Sequence, residues 1–90
     1  MDFEYNPHRS ESNKVEHGID FEGAKTIWDD ADSYEFITTA DDEERFLVVG
    51  EIDKVLWTAV ITYRGNHVRI ISVRRSRFRE VEEYDNRKGI

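Results

Sequence analysis

The chain has 90 residues, of which 38% are hydrophobic, and it carries a formal net charge of −7. That length supports one core, so we predict a single domain over residues 1–90. No apolar run approaches the ~20 residues of a membrane span, and no apolar signal segment follows Met1, so we expect a cytoplasmic protein that does not enter a membrane. The lack of cysteine excludes disulfides, zinc–thiolate sites and cysteine nucleophiles.

The N-terminal third of the chain predicts two helices. The opening segment FEY is compatible with either a short strand or a hydrophobic anchor. Asn6-Pro7 is typical of a helix start, and this helix is predicted to end at Gly18 with Val15 turned inward. Asp20 is a suitable cap for a second helix, FEGAKTIWDD. Its apolar stripe consists of Phe21, Ala24, Ile27 and Trp28.

From Tyr34 onward, the hydrophobic period changes from helical to strand-like. The β-rich runs YEFITT, RFLVVG, VLWTAVITYR and HVRIISVR are separated by ADDEE, EIDK and RGN, which predicts an antiparallel meander. In the third run, alternation places Val55, Trp57, Ala59, Ile61 and Tyr63 on one face. In the fourth run, it places Arg69, Ile71 and Val73 opposite Val68, Ile70, Ser72 and Arg74.

A last helix is predicted in the segment RFREVEEYDNRK, with Ser76 as its cap. Phe78, Val81 and Tyr84 would face inward, and Gly89 lies near its end. Two N-terminal helices, a four-stranded antiparallel sheet meander and a C-terminal helix together predict an α+β fold.

Charge is distributed unevenly along the chain. Residues 1–58 contain five basic and sixteen acidic side chains, a net of −11, whereas residues 59–90 contain eight basic and four acidic ones, a net of +4. Six arginines fall between positions 64 and 79, with no carboxylate among them. Arginine suits bidentate phosphate contacts and base stacking, so one interpretation is a polyanion-binding face. The other is a self-neutralising fold, in which these arginines pair with Glu43, Glu44 and the acidic residues 80–83 for ~0–1 kcal/mol per exposed pair.

Five segments give the chain a recognisable pattern: FEYNP, HGIDFEGA, ERFLVVG, VLWTAVITYR and VRIISVRRSRFREVEEY. In this order they resemble the BrnT family of bacterial toxins, from about Phe3 to Tyr84. The resemblance implies a RelE-like fold and cleavage of RNA that inhibits translation. It also implies neutralisation by a ribbon-helix-helix antitoxin of the BrnA type, through which the toxin would reach operator DNA.

Two positions depart from the family pattern. Asn6 stands where the family usually has Asp, and both residues cap helices. Glu16 stands where the family usually has Lys, immediately before His17-Gly18. If the position faces only solvent, the change has no consequence. If that lysine contacts phosphate, Glu16 weakens RNA binding or leaves a less active toxin. The alternative function is then a catalytically attenuated homologue that binds the antitoxin as a corepressor without cleaving RNA.

Metal-independent RNA cleavage requires a proton to leave the 2′-hydroxyl, the extra phosphoryl charge to be stabilised and the leaving 5′-oxygen to be protonated. The candidate catalytic residues are Arg64, Arg74, Arg79, Glu80 and His17. The candidate RNA-binding residues are Arg45, Arg69, Arg75, Arg77 and Tyr84. We expect guanidinium groups from two strands and the last helix to converge in one pocket.

Three of these candidates also have structural interpretations. His17 is either the titrating group or a histidine bonded to a helix C-terminus. Glu80 is either a base or the partner that holds Arg74 or Arg79, and Tyr84 either reaches the groove or lies at the core edge. His8 and His67 are expected to be ordinary surface residues. We expect no cofactor and no metal site, because DDAD and DDEE lack the Gly and terminal Glu of a calcium loop.

Overall fold

A computed structural model describes residues 1–40 and 43–89 of the chain. Its helices are α1 (Pro7–His17), α2 (Phe21–Ala24), a 3₁₀ helix (Lys25–Asp29) and α3 (Phe78–Lys88). Its strands are β1 (Asp2–Glu4), β2 (Tyr34–Ala40), β3 (Glu43–Ile52), β4 (Val55–Arg64) and β5 (His67–Arg75). The α+β class is therefore confirmed.

The five strands form one mixed sheet in the order β1-β5-β4-β3-β2. The antiparallel meander from β2 to β5 is as predicted, but a four-strand count is wrong because β1 pairs in parallel with β5. Three residues are too few to show a period, and their partners, beginning with His67 opposite Asp2, are distant in sequence. The acidic loop ADDEE is shorter than predicted, since Glu43 and Glu44 already belong to β3; positions 41 and 42 lie outside the described residues.

The predicted caps of the first two helices are confirmed. The Asn6 side chain accepts hydrogen bonds from the backbone N–H groups of His8 and Arg9, and α1 ends at Gly18 in the left-handed region, with φ 85°. The Asp20 carboxylate accepts from the N–H of Gly23 at 2.7 Å. The second helix is α-helical for one turn only and continues as the 3₁₀ helix, because its β-branched Thr and Ile residues favour an α-helix weakly.

The sheet carries a different layer on each face. On one face, which we call the α2 face, buried residues of α2 and the 3₁₀ helix pack on β3, β4 and β5. On the other, the α3 face, Tyr84 of α3 packs with Tyr34, Val49 and Leu56. The predicted alternation of β4 is confirmed, because Trp57, Ala59 and Ile61 belong to the α2-face core whereas Leu56 belongs to the other.

A β-bulge in β5 overturns the predicted alternation of that strand. Val60 pairs with Ser72 and the next residue, Ile61, pairs with Ile70, so Ile71 is an extra residue. Val73 consequently joins Val68 and Ile70 in the α2-face core. Arg69 and Arg74 pair with Thr62 and Thr58. These two threonines lie four residues apart on β4, so both arginines lie on the α3 face.

Two predicted inward side chains point to solvent instead. Val15 of α1 is 87% exposed and Phe78 of α3 is 78% exposed, whereas Tyr84 is buried as predicted. The cap of α3 is also shifted by one residue, to Arg77. The Ser76 hydroxyl is hydrogen-bonded to that of Thr58 at 2.8 Å instead.

Candidate functional site

Three predicted arginines meet on the α3 face of the sheet, beyond the part that α3 covers. Arg45 of β3, Arg64 of β4 and Arg69 of β5 line a cavity of about 240 Å³ together with Arg9 of α1. We call it the arginine cavity. The pairing register explains the meeting, because Arg69 lies opposite Thr62, two residues before Arg64 on the same face of β4.

The guanidinium groups of the cavity are only partly neutralised. Arg69 donates to the Glu4 carboxylate of β1 at 2.8 Å, and Arg45 donates to Glu43 at 3.1 Å. Arg9 and Arg64 form no ion pair with any residue in the described ranges. Four arginines against Glu4, Glu43 and Glu44 leave a net charge of +1 at this place, in a chain whose net charge is −7.

A second groove adjoins the arginine cavity. It has a volume of about 420 Å³, runs between α1 and β5, and shares Arg9 and Ile71 with the cavity. His8, Glu16 and His17 line it, and we call it the histidine groove. His17 Nε2 lies 3.7 Å from a Glu16 carboxylate oxygen. The two histidines that sequence alone could not relate to one another therefore line one surface, and it is continuous with the arginines.

Buried Asn13 fixes the wall of the histidine groove. Its side-chain oxygen accepts from the N–H of Val73 at 3.1 Å, and its side-chain nitrogen donates to the carbonyl of Ile19 at 2.8 Å. The first bond occupies a β5 edge position beyond the short β1 strand. Asn13 thus attaches α1 to the sheet beside the residues that line the groove.

Arg74 and Glu80 form a buried pair outside the arginine cavity. The Glu80 carboxylate accepts two hydrogen bonds from the Arg74 guanidinium, at 2.8 and 2.9 Å, one from the Thr58 hydroxyl and one from the N–H of Arg77. Burial raises the pKa of Glu80, but these four bonds outweigh it and lower the pKa to about 2. A carboxylate so fully engaged is a weak base, so the geometry favours the structural interpretation of both residues.

The remaining candidate arginines lie apart from the cavity. The guanidinium of Arg75 lies 5.6 Å from the ring centre of Trp57, a residue of the α2-face core. Arg77 occupies the cap position of α3, and Arg79 lines a pocket with Tyr34 and Phe36 at the β2 edge. The expected convergence of β4, β5 and α3 arginines in one pocket is therefore wrong. The cavity combines β3, β4, β5 and α1.

Tyr84 does not reach the arginine cavity. It is buried, and its hydroxyl donates to the Asp30 carboxylate at 2.7 Å. Asp30 also accepts from the N–H of Glu51 at 2.8 Å, so the pair joins α3 to the loop before β2 and to the end of β3. The structure therefore favours the prediction that Tyr84 lies at the core edge over the prediction that it contacts RNA.

Residues 5–80 match the model of the BrnT toxin family, which is described as the ribonuclease toxin of a type II toxin–antitoxin system. That range covers most of the chain and includes every residue of the arginine cavity and the histidine groove named above. The chain belongs to the BrnT family. Its substrate class is therefore RNA, and its partner is an antitoxin. A comparison with curated proteins gives no significant match.

Two residues of the candidate site were not among the sequence candidates. Arg9 joins the arginine cavity to the histidine groove, and His8 lies beside it. A signal was present in the sequence, since His8, Ser12 and Glu16 recur every four residues and so share one face of α1. That face is polar throughout, and a polar stripe on a surface helix is ordinarily solvated.

Among residues 1–40 and 43–89, no three histidine or acidic side chains are grouped so as to hold a metal ion. Within the same ranges, no helix is long and apolar enough to cross a membrane.

Proposed function

We propose that this toxin is a metal-independent endoribonuclease that holds the scissile phosphate of RNA in the arginine cavity. The proposal rests on one observation, the arrangement of Arg9, Arg45, Arg64 and Arg69 around a single concavity. Planar guanidinium groups bind phosphate oxygens in a bidentate manner, and an excess of them in an acidic protein favours a polyanionic ligand.

The reaction is an attack of the RNA 2′-oxygen on the adjacent phosphorus. The bond from the 2′-oxygen to phosphorus forms, the bond from phosphorus to the 5′-oxygen breaks, and the product carries a 2′,3′-cyclic phosphate. The 2′-hydroxyl proton goes to a base and another proton reaches the 5′-oxygen. In this proposal Arg64 and Arg69, which line the same cavity, stabilise the charge that develops on the phosphoryl oxygens. His17, in the adjoining groove, is the proposed proton-transfer group.

The biological consequence proposed is inhibition of translation in the bacterial cytoplasm, relieved by a BrnA-type ribbon-helix-helix antitoxin. Membership of the type II family supports a protein antitoxin. We further propose that the antitoxin covers the arginine cavity, because its four guanidinium groups would attract an acidic segment of the antitoxin. Any contact with operator DNA would run through the antitoxin.

Arg64→Ala tests the nuclease proposal most directly. Arg64 is exposed and has no ion pair within the described ranges, so its loss should leave the melting temperature within a few degrees of the wild type. RNA cleavage in EDTA should fall by about 100-fold, as for the loss of one oxyanion contact. Lys25→Ala, which removes one positive charge on the α2 side, is the control and should cleave normally.

Equal cleavage by Arg64→Ala and the wild type would remove the arginine cavity from the mechanism. A wild-type protein that does not cleave RNA in EDTA at all would refute metal-independent catalysis. Induction of the gene alone, with growth and total RNA followed in parallel, extends the same test to cells.

A second candidate function is supported by the position of Glu16. It lines the histidine groove beside His17, where its negative charge repels a phosphate. An attenuated toxin would bind its antitoxin normally and cleave RNA slowly. Glu16→Lys should then raise cleavage strongly, and Glu16→Gln should raise it less, since it only removes the charge. If neither variant is faster than the wild type, attenuation by this residue is wrong.

A further inference from the structure

The pocket around Arg79 contains an exposed aromatic ring. We call it the aromatic pocket; it has a volume of about 320 Å³ and is lined by Tyr34 and Phe36 of β2 and by four charged residues of α3, namely Arg79, Glu80, Glu83 and Arg87. The two rings are stacked, with centroids 6.0 Å apart and an interplanar angle of 23°. Arg87 covers the Tyr34 ring at 4.6 Å, whereas Phe36 is 36% exposed. The open surface of the stack is therefore that of Phe36.

Tyr34, whose ring lies beneath that of Phe36, is held in place by the fold. Tyr34 is buried, and its hydroxyl donates to the backbone carbonyl of Glu80 at 2.8 Å. Arg87, which closes the other side, is held by Glu83 at 2.8 Å. Tyr34 is thus already ordered on the inner side of the stack, which limits the ordering that stacking on Phe36 would require.

The aromatic pocket and the arginine cavity lie on the same face of the sheet. Thr38 pairs with Arg45, and Phe36, two residues earlier in β2, pairs with Leu47. Side chains two residues apart on one strand face are separated by roughly 7 Å. Phe36 is thus one such step from the strand position opposite a cavity arginine, which is a distance that an adjacent nucleotide can cover.

We propose that Phe36 stacks an unpaired base of the RNA next to the scissile linkage, and that Arg79 contacts the phosphate of that nucleotide. This inference rests on the proposed nuclease function. Arg79 has no ion pair within the described ranges, while Glu80 and Glu83 are already occupied by Arg74 and Arg87. An open ring beside an unneutralised guanidinium, on the same sheet face as the arginine cavity, has the features of a single-strand binding surface.

The test measures affinity for a single-stranded RNA that is made non-cleavable by 2′-deoxy substitution. Stacking of one base on an aromatic ring is worth ~1–3 kcal/mol, so Phe36→Ala should weaken binding by about tenfold or more, and Phe36→Tyr should retain it. Phe36→Leu keeps an apolar side chain without the ring and should also lose affinity, which separates stacking from folding.

Ile37→Ala is the matched control. Ile37 lies on the same strand, is 61% exposed and points to the opposite face. The Ile37→Ala variant should therefore bind RNA with normal affinity. A series of RNAs with one abasic nucleotide at successive positions locates the contact. At one position, the abasic nucleotide should weaken RNA binding by the wild type. At the same position, it should cause no further loss of RNA binding by Phe36→Ala.

Three results would overturn the inference while leaving the nuclease proposal intact, provided that the wild type cleaves RNA. The first is that Phe36→Leu and Phe36→Tyr bind RNA with equal affinity. The second is that no abasic position is coupled to Phe36. The third is that Phe36→Ala loses antitoxin binding while its RNA binding is unchanged. The last result would instead assign the aromatic pocket to a protein partner. A wild type that neither binds nor cleaves RNA would refute the nuclease proposal itself.

Discussion

Glu80→Gln separates a structural from a catalytic role for the buried carboxylate. The substitution preserves the side chain's size but removes its charge, and it places an amide N–H₂ against the Arg74 guanidinium. Glu80 is only 8% exposed, and its two oxygens receive four hydrogen bonds. The variant therefore leaves a half-buried arginine without its counter-ion and sets donor against donor.

The expected loss of stability follows from the pKa of Glu80. Burial opposes the charged form, but bonds from Arg74, Arg77 and Thr58 lower the pKa from 4.5 to about 2. That difference corresponds to about 3 kcal/mol at neutral pH, which agrees with the ~3–5 kcal/mol typical of breaking a buried ion pair. For a chain of this size the melting temperature should fall by roughly 12–24 °C.

The contribution of Glu80 to the free energy of unfolding increases with pH. Because the folded pKa lies below the unfolded one, this contribution is complete above pH 4.5 and is lost as the pH falls towards 2. The wild type should therefore lose about 3 kcal/mol across this window through Glu80, a loss that Glu80→Gln lacks. Urea unfolding at several pH values measures both quantities. Glu82→Gln, at an exposed position of the same helix, is the control.

RNA cleavage gives the decisive comparison. At a temperature where Glu80→Gln is folded, it should cleave within a few-fold of the wild type. A general base would instead contribute ~10²–10⁴-fold. A variant of wild-type stability that has lost cleavage by that factor would refute the structural interpretation and return Glu80 to the catalytic set.

Two further predictions concern the scaffold of the site. Asn13→Ala should lower the free energy of unfolding by ~1–3 kcal/mol, because it leaves the N–H of Val73 and the carbonyl of Ile19 without partners; unchanged stability in urea would contradict this. Gly50→Ala should cost ~1–3 kcal/mol in the same assay, since its Cβ would lie 2.8 Å from the Ile27 side chain and 2.9 Å from the Ile27 carbonyl oxygen. Gly65→Ala, which has open space at its Cβ but a left-handed φ of 57°, distinguishes contact from backbone strain.

Local signals in the sequence were sufficient for most elements. Asn6, Asp20 and Gly18 mark helix ends through their own side chains or backbone freedom, and β4 follows simple alternation. The extra residue Ile71 was not predictable, because apolar residues on both sides of it fit either register. Because of that one extra residue, Arg74 and Val73 lie on the sheet faces opposite to those predicted.

The sequence predicted the residue type of the candidate site, arginine, but not which arginines line the cavity. The arginine run drew attention to these guanidinium groups, but sequence position alone does not distinguish Arg64, which lines the cavity, from Arg74, which is neutralised by Glu80. That distinction depends on which carboxylates the fold brings near. Arg9 was missed for the same reason, since α1 meets β5 only in three dimensions.

The bulge at Ile71 places Arg69 and Arg74 on one sheet face although they lie five residues apart, a spacing that simple alternation would put on opposite faces. Removing the extra residue would leave a regular ladder in which Arg69 still pairs with Thr62 and Arg74 with Thr58, so both guanidinium groups would stay on the α3 face. Replacing one aliphatic residue by another in the same segment would change neither orientation. Related toxins whose β5 is one residue shorter at this place should therefore present the same side chains on the same two faces.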